Sequence, residues 1–221
     1  MGDFITDLKK KFESGNIALK FIYANVGIFI LTSLIVIFWT LFNRDGNNLL
    51  LYLELPASFD KFILQPWSII TYMFMHANLL HILFNMLWLY WFGEMFLYFF
   101  SARHFRGLYF LGGIAGGIIY MVSYNVFPYF TSAVTQSYMI GASASVLAIV
   151  VATAVKSPNY SVNLLLFGRV RLKYIACAIV LLDLLFITSE NAGGHIAISV
   201  ELLQVGYLFW VLIVAMTIQN G

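Results

Sequence analysis

Cysteine and charge are both scarce in this sequence, and each scarcity excludes something. A single cysteine, Cys177, allows no internal disulfide and no multi-cysteine metal site. Inside an apolar run it is most simply a small core residue. Charged residues make up 10% of the 221 and hydrophobic residues 62%, with a mean hydropathy of +0.88. A water-soluble domain carries about 25% charge and about 45–50% apolar residues, so this chain is built for lipid. The net charge of +2 is small and the basic residues are scattered, which leaves no face for nucleic acid.

What the chain has in place of charge is long apolar runs. Six of them, near 23–43, 68–92, 107–127, 139–155, 172–188 and 193–218, approach the roughly 20 residues needed to cross a hydrocarbon core, the fourth and fifth being short. The predicted fold class is therefore all-α, a polytopic membrane bundle of six transmembrane helices over 23–218. Residues 1–22 form a separate N-terminal segment. There Phe4, Ile5, Leu8 and Phe12 alternate with Lys9, Lys10, Lys11 and Lys20 as in a helix lying in the membrane interface. The first run is long enough to stay in the membrane, so no cleavable signal peptide is expected. Most of the basic residues, including Arg103, Arg106, Lys156, Arg169, Arg171 and Lys173, fall on one side of a six-span alternation. That places both termini in the cytoplasm.

Between the first two runs, Asn43 to Gln65 is rich in leucine and phenylalanine and suits a loop half sunk in the outer leaflet. In the third run, Gly112-Gly113-Ile114-Ala115-Gly116-Gly117 gives two overlapping Gly-x3-Gly pairs. These make the small-residue surface that lets helix backbones approach closely.

Polar groups at membrane depth mark functional sites by default. Three stretches stand out: His76-x4-His81-x3-Asn85, Gly141-Ala142-Ser143, and Asn191-Ala192-Gly193-Gly194-His195. Each has a plain structural reading as well. A lone serine in an apolar helix is commonly satisfied by the carbonyl one turn back, and an Asn and His four apart can glue helices together. Peptide hydrolysis needs a nucleophile, a base and donors for the developing oxyanion. Ser143 offers the first. His81 and Asn85, on one helix face, offer the third together with the amino end of the Ser143 helix. A histidine of the sixth run would be the base. No metal or organic cofactor is implied, because His76 and His81 would diverge on a helix and no carboxylate completes a site. Glu94, Asp183 and Glu201 lie in or border the runs; none has an obvious basic partner, so a transporter is the weaker reading.

Taken together, these motifs resemble the rhomboid family of intramembrane serine proteases. The resemblance covers nearly the whole chain: six spans, a sunken first loop, the His and His-x3-Asn of span two, and the Gly-x-Ser opening span four. It implies Ser143 as nucleophile and His81, Asn85 and the Ser143 backbone N–H as oxyanion donors. His76 and Gly141 would support the site. Single-span membrane proteins would be the substrates, and the location a multi-pass place in a membrane, expected to be the bacterial cytoplasmic membrane. The family commonly has Gly after the serine, where this chain has Ala144.

The sixth run departs from the family pattern, which has Ala-His followed by small residues. Here Ala197 is followed by Ile198-Ser199-Val200-Glu201-Leu202, leaving His195 as the one histidine of the run. His195 stands three residues earlier, about 4.5 Å along the axis and about 60° around it. It serves as the base only if the helix is shifted or its Gly193-Gly194 start unwound. The alternative is an inactive relative that holds membrane clients without cutting them. A codon reading accounts for the mismatch. If the Ala197 codon ends in C and the next codons are ATA TCA GTG GAG CT, the neighbouring frame reads His-Ile-Ser-Gly-Ala. One base lost near codon 198 and one gained near Gly206 would give the sequence as it stands.

Overall fold

The computed structural model describes residues 13–44, 49–164 and 168–185. In chain order it contains helix α1 (Ile17–Leu41), strand β1 (Leu55–Pro56), short helices α2 (Phe59–Leu64) and α3 (Ser68–Thr71), and a 3-10 turn (Tyr72–Phe74). Helices α4 (Leu79–Phe99) and α5 (Ala102–Val126), strand β2 (Tyr138–Met139) and helix α6 (Ser143–Lys156) follow. Strands β3 (Ser161–Leu164) and β4 (Gly168–Arg171) and helix α7 (Leu172–Leu185) complete it. The described residues are mostly helical, with two small antiparallel ribbons, β1–β2 and β3–β4, that an all-α expectation does not contain.

Among the described residues three helices, α1, α4 and α5, are long and apolar enough to cross a membrane. Helix α1 leaves Ile30, Leu31, Leu34, Ile37, Phe38 and Leu41 exposed, an outer surface that suits lipid. Its polar residues turn inward or onto their own backbone. Asn25 Nδ2 donates to the Phe21 carbonyl at 2.8 Å and to the Tyr109 hydroxyl at 3.2 Å, and Thr32 Oγ1 donates to the Ile28 carbonyl at 2.9 Å.

Helix α6 is the centre of the molecule. Every residue from Ala144 to Ala154 is buried, and it packs on α4, α5 and α7. With 14 residues it rises about 21 Å, less than a hydrocarbon core, so its neighbours supply its surroundings on all sides. Its contact with α5 includes Gly113, where a β-carbon would lie 2.6 Å from Ser145 Oγ and 2.5 Å from the end of Met73, while one on Gly117 would lie 2.6 Å from Ile69 Cδ1 of α3.

Three expected features shift. The run near 68–92 is not one helix: α3 and the 3-10 turn end at Phe74, Met75 is extended, and α4 starts at Leu79. Asn78 is the reason for the new start, since its side chain accepts from the His81 N–H at 2.9 Å and so caps the helix. Ser143 is the first residue of its helix instead of the fourth or so, because Tyr138–Met139 pairs with β1. Cys177 is exposed on α7 and is not a core residue. Residues 1–12 and the sixth run, with His195, Ile198 and Glu201, lie outside the described residues.

The loop between α1 and α4 is pinned to the segment that leads into α6. Leu55 pairs with Met139 and Pro56 with Tyr138, the Ala57 N–H donates to the Ser137 carbonyl at 3.0 Å, and Lys61 Nζ donates to the Tyr138 hydroxyl at 2.9 Å. Leu55 and Ala57 are fully buried while Phe59, Ile63, Leu64 and Trp67 are exposed. The loop thus has one face in the core and one apolar face outward.

Candidate active site

The site is built around Gly141. Its φ is +126°, a conformation that L side chains rarely adopt, and its N–H donates to the Tyr72 carbonyl at 3.0 Å. A β-carbon there would meet both Nε2 and Cε1 of His81 at 2.9 Å and Ser143 Oγ at 3.7 Å. The imidazole and the hydroxyl therefore border one small space, and glycine is what leaves it open.

Ser143 opens α6, and the residue at the cap position, Ala142, offers no side-chain bond to the helix. The first N–H groups of α6 are thus free of a side-chain cap, at the positive end of the helix dipole. Ser143 is half-buried whereas Ala142 and Ala144 on either side are buried. A hydroxyl thus stands at the lip of a buried helix, beside N–H groups without a side-chain cap.

His81 is oriented from its other edge. Its Nδ1 faces the Ala77 N–H at 3.4 Å, a long contact in which the ring nitrogen accepts. The neutral tautomer then carries its proton on Nε2, the atom turned to Gly141. Asn85, one turn on, donates from Nδ2 to the His81 carbonyl at 2.9 Å and is buried. One of its amide protons is thereby committed to its own helix.

The structure brings His76 to His81, with ring centroids 5.1 Å apart and planes at 64°. The two do not diverge, because His76 belongs to the extended connector before α4 and not to the helix. His76 is 7% exposed, and neither ring nitrogen has a hydrogen-bond partner; the Phe74 backbone lies near it without acceptable geometry. In that connector burial first, and His81 second, push the His76 imidazole down to about 4, so it is neutral at physiological pH.

Ser143, His81, Gly141 and His76 are thus neighbours, and Asn85 stands one turn from His81. His195 lies outside the described residues. Two contributors were not among the sequence candidates. Asn78 has a legible signal, an Asn directly before an apolar helical run. Tyr72 has none: its carbonyl holds Gly141, and its hydroxyl donates to the Gly113 carbonyl at 2.6 Å, tying the site to the glycine face of α5.

The fold and site together define a helical membrane protein with a serine at the head of a helix buried from Ala144 to Ala154. The Rhomboid domain model matches residues 64–215, well over half of the chain, and the chain belongs to the rhomboid family. It is also 26% identical over 189 residues to RHOMBOID-like protein 12, mitochondrial, of Arabidopsis thaliana. That similarity covers 80% of this chain and 52% of the relative, so the chain spans about half the length of the protein it matches.

Proposed function

We propose that this chain is an intramembrane serine endopeptidase of the rhomboid type, acting on single-span membrane proteins near the outer leaflet. The observation that carries the reading is the shared border of Gly141, where the Ser143 hydroxyl and the Nε2 edge of His81 meet beside the uncapped start of α6. In this reading Ser143 attacks the scissile carbonyl. Nε2–H of His81 and the first N–H groups of α6 receive the negative charge that develops on its oxygen, with the second amide proton of Asn85 reaching the same oxygen. An imidazole from the sixth run takes the serine proton, and in this sequence that is His195. The bundle has six spans with both termini cytoplasmic, and the chemistry needs no cofactor.

A second reading, a relative that binds membrane clients without cutting them, is favoured by one observation, Ile198 where the base is expected. A reporter carrying one transmembrane segment, co-reconstituted with the chain, separates the two. Cleavage that Ser143→Ala abolishes supports the protease. Retention of uncut reporter by the chain, with no product under any condition, supports the binding protein.

A further inference from the structure

Two features of the His76 and His81 pair are not used by the reading above. The first is that both ring nitrogens of His76 are buried without a hydrogen-bond partner. A buried polar group left unmatched is destabilising, and such groups call for an explanation. The second is the spacing. Two imidazoles that bind one tetrahedral ion at nitrogen-to-metal distances of about 2.0–2.1 Å place their ring centres roughly 5.2 Å apart. The rings of His76 and His81 stand at 5.1 Å.

We propose that His76 and His81 together bind a divalent transition-metal ion, zinc or a similar imidazole-seeking cation, in a two-histidine site. The Nδ1 edge of His81 faces the connector at Ala77, adjacent to His76, and its only contact there is the 3.4 Å approach of the Ala77 N–H. That contact is long for a hydrogen bond and is readily exchanged for a metal bond. The ion takes Nδ1 of His81 and one nitrogen of His76. Among the described residues no set of three His, Cys, Asp or Glu side chains could hold a metal ion. Imidazole pairs suit zinc, copper and nickel over magnesium or calcium.

The site is independent of peptide cleavage, although an ion there would fix the ring whose other edge borders Ser143. The test therefore reads binding. Tag-free protein in detergent micelles, with Ser143→Ala as a parallel sample, is titrated with cobalt(II), followed by its visible absorption, and then with competing zinc. One ion per chain is expected to bind saturably in both samples, with affinity falling by about tenfold or more in His76→Phe and in His81→Gln and unchanged in His104→Ala. Zinc should also raise the unfolding midpoint of the unsubstituted chain and leave that of His76→Phe unmoved. No saturable uptake by the unsubstituted chain overturns the proposal, as does uptake that survives either substitution. Magnesium binding with equal affinity overturns it too.

Discussion

A β-carbon on Gly141 would lie 2.9 Å from Nε2 of His81, so the identity of residue 141 sets where the His81 ring can stand. Gly141→Ala therefore acts twice. It forces a side chain into a φ of +126°, a strain of about 1–2 kcal/mol, and it drives the imidazole away from Ser143. The unfolding midpoint in detergent should fall, and reporter cleavage should drop by about 100-fold, the usual effect of losing one oxyanion donor. His81→Ala should match that activity loss without the backbone strain, and the comparison of the two midpoints checks the division.

Asn78 offers a second test, of the helix cap. Its side chain accepts from the His81 N–H, and removing such a cap costs about 1 kcal/mol. Asn78→Ala should lower stability by that amount, whereas Asn78→Ser, which keeps an accepting oxygen, should restore most of it. A chemical denaturation series of the three proteins reads the result. Equal stability of all three would mean that the start of α4 is held by packing alone.

The helical character of the chain was legible in its apolar runs, as was the glycine face of α5, since both follow from composition and small-residue spacing. The break between α3 and α4 was written in the Asn at its head and not in hydropathy. His76 and His81 fall in one continuous apolar stretch, and hydropathy is blind to the cap at Asn78 that turns the connector out of the helix. Their approach is a tertiary fact, as is the grip of the Tyr72 carbonyl on Gly141. The pairing of β1 with β2 was illegible for a similar reason: two residues on each side carry no alternation to read.

Gly113 and Ser145 make a coupled pair across α5 and α6. Gly113→Ala puts a methyl 2.6 Å from Ser145 Oγ and 2.5 Å from the flexible end of Met73, and overpacking of this kind costs about 1–3 kcal/mol. Ser145 Oγ is buried without a partner, so Ser145→Ala alone should be neutral or stabilising. The double variant should recover part of the Gly113→Ala loss, giving an interaction energy of at least about 0.5 kcal/mol in a double-mutant cycle. Strict additivity would show that Met73, not Ser145, bears the strain.

Glu54, in the loop between α1 and α4, gives a pH dependence. Burial pushes its carboxyl up from the ordinary value of 4.5. The folded chain then holds a proton that the unfolded chain has released, so stability falls as pH rises from the ordinary value through the raised one, and the deficit is complete above it. Glu54→Gln should raise the unfolding midpoint at neutral pH, by no more than about 1 kcal/mol for a half-exposed group. It should also flatten the profile between mildly acid and neutral pH. A gain equal at every pH would assign the effect to something other than this carboxyl.

On the proposed mechanism, position 198 is where the base is tested. Histidine in general-acid and general-base roles contributes about 100- to 10,000-fold, and ideal helix geometry separates residues three apart, as 195 and 198 are in sequence, by about 4.5 Å and about 60°. Ile198→His should therefore raise reporter cleavage by at least about 100-fold, and adding Ser143→Ala to that variant should remove the gain. The nucleotide sequence gives an independent check, because the neighbouring-frame reading requires an Ala197 codon ending in C followed by ATA TCA GTG GAG CT. If those codons are found, the variant restoring His-Ile-Ser-Gly-Ala after Ala197 should outperform Ile198→His alone, since it also replaces Val200, Glu201 and Leu202 with smaller residues that let the sixth helix approach α6. Other codons would dismiss the frame reading and leave Ile198 as a residue of this protein in its own right, and Ile198→His would then be the sole measure of what the missing imidazole costs.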